Sequence, residues 1–139
     1  MCAIWIREIS HLICLFLIRA DLSKLITLSN GYWEIDVAPG HGASITRASY
    51  NGRSILRPAT QAFFETGDVF ETGYFPMVPY SNRIENGCFE FMGVPHTVSP
   101  NRHDQIYPIH GNAWTKAWTI EEVSPAQIIL EHNHTGKAG

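Results

Sequence analysis

The sequence predicts an all-β protein, an antiparallel β-sandwich, and three observations carry that prediction. Apolar and polar residues alternate with period two in several short segments, as in Trp33, Ile35 and Val37 against Glu34 and Asp36. Glycine-, proline- and asparagine-rich turn signals separate these segments at near-regular intervals. No segment after Asp21 carries a helical period of any length.

The elements follow in chain order. Residues 1–24 read as an appended segment with one helix, because Ile9, Leu12, Ile13 and Phe16 fall on one helical face. The apolar run from Leu12 to Ile18 ends at Arg19 and is far short of the roughly 20 residues that span a bilayer. A secretory signal fits poorly, since Glu8 stands in the region that should be basic and Ile18 where a small residue should precede cleavage. Residues 25–139 then form the sandwich domain. After the first strand and the turn Pro39-Gly40-His41-Gly42, a second strand runs from Ala43 to Tyr50. Asn51-Gly52 is a hairpin signal, since a type I′ turn needs positive φ at both central positions, and Arg53 to Leu56 is the return strand.

Residues 57–82 have no period, broken by Pro58, Gly67, Gly73, Pro76 and Pro79. They still carry Phe63, Phe64, Phe70, Tyr74, Phe75 and Tyr80, so part of the stretch must pack on the sheets or line a cleft. Strands resume at Cys88 to Met92, turn at Gly93 and return through Val94 to Val98. In the first of these, Phe89 and Phe91 share a buried side and Glu90 faces away, while Cys88 serves as a small apolar filler. The last pair, Ala117 to Val123 and Gln127 to His132, is joined by Ser124-Pro125-Ala126.

Composition narrows the function. At 139 residues, with 45% hydrophobic and 17% charged, the chain suits one globular domain. A net charge of −3 with scattered Lys and Arg excludes an electrostatic nucleic-acid binder, and no segment calls for a membrane. Cys2, Cys14 and Cys88 form no C-x-x-C pair, which fits a reduced, cytoplasmic setting. His132 and His134 could share a strand face as metal ligands but lack a third ligand, and no metal or other cofactor is expected.

Two islands concentrate polar chemistry next to aromatic residues. Asn82 and Arg83 follow Phe75-Pro76-Met77-Val78-Pro79-Tyr80-Ser81 and precede a strand that could hold them towards a cleft. Their donors and acceptor suit the hydroxyls and ring oxygen of a sugar. His110, within Pro108-Ile109-His110-Gly111, can donate or accept near neutral pH. Trp114 offers a platform for the apolar face of a pyranose. Taken singly, each has an ordinary structural reading: a cap beside a surface charge, a lone histidine, and with Trp118 a pair of core tryptophans.

Together the islands resemble the aldose 1-epimerase (galactose mutarotase) family. The resemblance rests on Phe75-Pro76, Pro79-Tyr80-Ser81-Asn82-Arg83-Ile84, Gly87, Phe89, Phe91 and Gly93, then Pro108-Ile109-His110-Gly111, Trp114 and Trp118. Asn30-Gly31, Pro39-Gly40-His41-Gly42-Ala43 and Gly52 extend it towards the N-terminus, so that it covers about residues 25–132. It implies an isomerase that interconverts the α and β anomers of an aldohexose, with Asn82, Arg83, His110 and Trp114 on the sugar. The family's catalytic histidine and glutamate fall further downstream than this sequence reaches, so no complete catalytic set is expected here. The chain is expected to be the N-terminal portion of a family member, completed by a C-terminal half or by self-association. Two other functions remain open: a non-catalytic sugar-binding module or subunit, and a sugar-phosphate epimerase with Arg57 or Arg102 as the added cation.

Overall fold

The alternation at residues 33–38 is realised as a strand that lies between two others. In the computed structural model, which describes residues 2–3 and 24–134, this strand, β3 (Trp33–Ala38), pairs antiparallel with β2 (Ile26–Ser29) and with β4 (Ser44–Tyr50). β5 (Arg53–Ser54) closes the four-stranded sheet in the order β2-β3-β4-β5. Asn51 and Gly52 adopt φ 48° and 74°, both in the left-handed region as the turn requires. A bulge between Asp36 and Val37 shifts the β3–β4 register.

The second sheet joins β8 (Thr119–Ser124) and β9 (Gln127–His132), with Cys2–Ala3 as a short β1 on the far edge of β9. Strands β6 (Cys88–Phe91) and β7 (Val94–Thr97) form a separate two-stranded hairpin. Every pairing between named strands is antiparallel, as the sequence predicts.

The two larger sheets face each other across one core. Leu28, Val37 and Ala43 come from the first sheet and its adjoining turn, and Ile128 and Leu130 from the second. Between them lies Trp118, 1% exposed, with its Nε1–H donating to the Ala113 carbonyl at 3.0 Å. The indole thus fills the space between the sheets while its polar atom is satisfied, the condition under which a buried tryptophan stabilises. A second cluster, Val69, Ile109 and Trp114 with Phe70 and Phe75, packs beneath the loops that follow residue 75.

Four expectations need correction. The stretch 57–82 contains a short helix, α1 (Gln61–Thr66), where no helix is predicted. Buried Phe63 anchors it, and Gly67 ends it at φ 74°, a left-handed cap that glycine takes without steric cost. β2 precedes the first strand the sequence announces; Ile26 and Leu28 supply its inward face, and Asn30 Oδ1 accepts from the Tyr32 and Trp33 amides to turn the chain. The β6–β7 hairpin is exposed on both faces, so Phe89, Phe91 and Cys88 are not buried by the described residues. The return strand predicted to Leu56 ends at Ser54.

The expected N-terminal helix lies outside the described residues, apart from the extended Cys2–Ala3. Among the described residues no helix is long and apolar enough to cross a membrane.

Candidate functional site

Two loops, residues 78–84 and 108–114, meet along isolated bridges that pair Val78 with Gly111 and Arg83 with Ile109. At their junction Asn82 and His110 are locked by reciprocal bonds. The His110 amide donates to the Asn82 carbonyl at 2.9 Å, and the Asn82 amide donates to His110 Nδ1 at 3.0 Å. Both residues sit at positive φ, 70° for Asn82 and 60° for His110. Asparagine tolerates that region; histidine there is strained by about 1–3 kcal/mol and must be held by its surroundings.

The locking has an electronic consequence. Because Nδ1 accepts a hydrogen bond, the proton of the neutral ring resides on Nε2. Burial, and then the positive charge of Arg83, hold the His110 pKa below its ordinary value and favour that neutral form. His110 is half-buried, with Phe70 and Phe75 flanking it at ring-centroid distances of 6.0 and 5.9 Å. Its Nε2–H is therefore a neutral donor set in an aromatic surround.

Arg83 is exposed, and its Nε and Nη2 both donate to Gln105 Oε1, at 3.0 and 2.7 Å. No carboxylate pairs with it among the described residues. Its Nη1 edge is thus available to an external acceptor, and its charge is uncompensated by a neighbour. Asn82, Arg83 and His110 are brought together by the fold, on two loops that bond to each other directly.

Trp114 corrects the expectation of a stacking platform. It is only 9% exposed, its ring packs against Phe70 and Phe75, and its Nε1–H bonds the carbonyls of Gly111 at 2.9 Å and Ile109 at 3.2 Å. It supports the His110 loop from beneath, because a turn of 3-10 helix at Ala113–Thr115 folds it inward. Gly111, at φ 67°, lies so close to the Val78 carbonyl that a side chain there would collide with it. The residues that sequence reasoning missed are Asn101 and Gln105, both on the loop 99–105; Arg102 between them was read only as a cation for a sugar phosphate. No periodicity or motif announces them, because each acts through a contact made only in the folded chain.

The two other cations considered for the site, Arg102 and Arg57, have structural partners. Arg102 forms a two-point pair with Asp68, at 3.0 Å on each arm, and a third contact with Asp104 at 2.8 Å. Asp68 is held below the usual carboxylate range by those bonds, against a smaller opposing effect of burial. Arg57 donates to the backbone carbonyls of Phe70, Glu71 and Thr72. A cavity of about 710 Å³ lies beside the hairpin, lined by Tyr80, Phe89, His96, Asn112 and Lys116 among others, but not by Asn82, Arg83 or His110. Among the described residues no group of three or more His, Cys, Asp or Glu could hold a metal ion, and the His132 ring packs on Trp118.

Comparison with known proteins places the chain in a family. The aldose 1-epimerase family model matches residues 24–139. YphB of Escherichia coli K12, itself uncharacterised, is 26% identical over 110 residues, which is 79% of this chain and 36% of that protein. YihR of the same organism, also uncharacterised, is 32% identical over 92 residues, 64% of this chain and 28% of that protein. The chain therefore spans about a third of the length of the curated relatives it matches. A crystal structure from E. coli K12, assigned provisionally as an aldose 1-epimerase, superposes with TM-score 0.71 at 26% identity, covering 80% of this chain and 37% of that one. The Slr1438 protein of Synechocystis sp. PCC 6803 superposes with TM-score 0.64 at 15% identity, covering 89% and 42%, a likeness of fold alone. The family match takes in β2 to β9 and both site loops, and the chain belongs to the aldose 1-epimerase family.

Proposed function

We propose that this chain supplies the sugar-recognition part of an aldose 1-epimerase active site, for the interconversion of the α and β anomers of an aldohexose. The observation that carries the reading is the reciprocal Asn82–His110 bonding, which leaves Nε2–H free to donate beside the unpaired Arg83 edge. Opening a pyranose ring needs the anomeric hydroxyl to lose a proton while the ring oxygen gains one. A neutral imidazole N–H and a guanidinium hold sugar oxygens and favour negative charge developing on the ring oxygen, without themselves giving up a proton.

The proton-transfer pair, a histidine and a glutamate in the family pattern, belongs in this reading to sequence beyond His110 and outside residues 24–134. Within the described residues, Asp104 is ion-paired to Arg102, while Glu85 and Glu90 are exposed, in the turn before β6 and on β6. The exposed apolar faces of the β6–β7 hairpin support a completing polypeptide or a second copy as partner. A cytoplasmic setting goes with this reading. The sugar-phosphate alternative is disfavoured, because Arg57 and Arg102 are both committed to internal acceptors.

Polarimetry on freshly dissolved α-galactose or α-glucose tests the division of labour. The 139-residue chain should leave the spontaneous rate unchanged, since well-placed acid–base groups contribute about 10²–10⁴-fold each and both are assigned elsewhere. A protein-proportional acceleration that disappears in His110→Ala would overturn that assignment.

A further inference from the structure

The loop 99–105 bonds to Arg83 and to the residues on either side of His110, and packs on the Phe70 ring. Asn101 is the centre of this arrangement. Its Oδ1 accepts from the Ile109 amide at 2.9 Å, and its Nδ2 donates to the Ile109 carbonyl at 2.8 Å and to the Gly111 carbonyl by a very short bond. One side chain thus binds the residues on both sides of His110, the strained position in the pair of left-handed residues His110 and Gly111. Four positions on, Gln105 Oε1 accepts both bonds from Arg83, and the Gln105 amide closes a turn onto the Arg102 carbonyl at 3.2 Å.

Between them Arg102 ties the loop down. Its guanidinium pairs with Asp68 and lies 3.9 Å from the centroid of the Phe70 ring. Phe70 is the ring that packs on His110, Phe75 and Trp114. An arginine with only 16% of its side chain exposed, fixed at two points by a carboxylate, is a rigid clamp rather than a mobile surface charge.

We propose that residues 101–105 are a positioning strap for the sugar site, in which Asn101 fixes the backbone and tautomer of His110, Arg102 anchors the aromatic wall through Phe70, and Gln105 aims Arg83. The roles rest on the sugar-site reading given above, but the geometry they maintain exists without sugar. Removing Asn101 frees the His110 backbone to leave its left-handed conformation, which takes Nδ1 away from the Asn82 amide. Removing Gln105 leaves that bond intact and releases only Arg83.

Heteronuclear NMR of the ligand-free 139-residue chain separates these effects, reading the imidazole nitrogen shifts and titration of His110 and the Nε–H signal of Arg83. In the unsubstituted protein His110 is expected as the Nε2–H tautomer with its pKa below the ordinary value, and Arg83 Nε–H as a protected signal. Asn101→Ala should mix the two tautomers and raise the His110 pKa towards the ordinary value. Gln105→Ala should keep the tautomer, broaden or lose the Arg83 Nε–H signal and raise the His110 pKa by a smaller amount. Asn101→Asp, which retains the acceptor for the Ile109 amide and loses both donor bonds, should show the Asn101→Ala pattern and serves if that variant does not fold. Gln105→Glu, which restores an acceptor, should recover the Arg83 signal. Folded Asn101 variants with unchanged His110 shifts and titration would overturn the proposal. So would an unchanged Arg83 signal in Gln105→Ala, which alters only a partly exposed side chain and decides the matter even if neither Asn101 variant folds. A failure of sugar to bind the unsubstituted chain would instead remove the function and leave the strap standing.

Discussion

The core between the two large sheets and the corner that carries His110 are built on opposite principles. In the core, extended strands bury Leu28, Val37, Ile128 and Leu130 around Trp118, and the local pattern is simple alternation. In the corner, the chain leaves the β region: Asn82, Asn86, His110 and Gly111 all have positive φ, and order comes from side chains bonding to backbone. The core is stabilised by area removed from water, which is non-directional and tolerant of small shifts. The corner is held by directional bonds, which stabilise little each but set where donors point. Stability and positioning thus reside in different residues, and substitutions should separate them.

The largest effect belongs to the core. Trp118→Ala removes the side chain that fills the inter-sheet space and should cost about 3–5 kcal/mol, read as a fall in urea midpoint. A loss below about 1 kcal/mol would show that the sheets repack without it. Gly111→Ala probes the corner's backbone. The added methyl would collide with the Val78 carbonyl at a left-handed position, so the two loops must part at a cost of about 1–3 kcal/mol. The chemical-shift changes should centre on Val78, Asn82 and His110 and spare Trp118; a uniform perturbation would erase the distinction between the regions.

Acid sensitivity offers a smaller and sharper contrast. His110 has its folded pKa lowered by burial and by Arg83, and His132 by burial with His134 and Lys116 nearby. A group with a depressed folded pKa binds fewer protons folded than unfolded. Stability is therefore intact above the ordinary histidine value of about 6.5 and is lost as pH falls from there through the folded value. His110→Asn, which tolerates the left-handed backbone, should flatten that decline, seen in urea midpoints between about pH 7 and pH 5. An identical decline in the variant would place the sensitivity at other groups. The smallest effect is expected on the outer face of the first sheet, where Arg47 pairs with Asp36 at 2.7 Å and Glu34 at 3.0 Å. Arg47→Ala should cost about 0.2–1 kcal/mol and leave the corner's spectrum unchanged.

The same division explains what the sequence revealed. The sheets were legible because alternation at residues 33–37 and the Asn51-Gly52 turn are local signals; the first becomes β3, although Trp33 stays exposed, and the second forms the turn. Asn82, Arg83 and His110 were legible as motif residues, though nothing local foretold the Nδ1 bond that fixes the imidazole. Trp114 was read as a platform because spacing alone does not tell a surface indole from a buried one; the short helical turn at Ala113–Thr115 decides it. Asn101 and Gln105 were invisible because their partners lie eight or more residues away, at separations set by tertiary structure. The hairpin misled for a different reason. Its alternation is real, but the face it would bury against is not supplied by the described chain.

Titration of the 139-residue chain with galactose and with glucose, followed by heteronuclear NMR, tests the central claim most directly. The account predicts saturable shifts at His110 Nε2–H, the Arg83 guanidinium and the Asn82 backbone, with residues around Trp118 unmoved. His110→Asn should weaken that binding by about tenfold, the loss expected for one good hydrogen bond. Saturable shifts confined to other surfaces, or no shift at Asn82, Arg83 and His110 at sugar concentrations that saturate the response elsewhere, would contradict it.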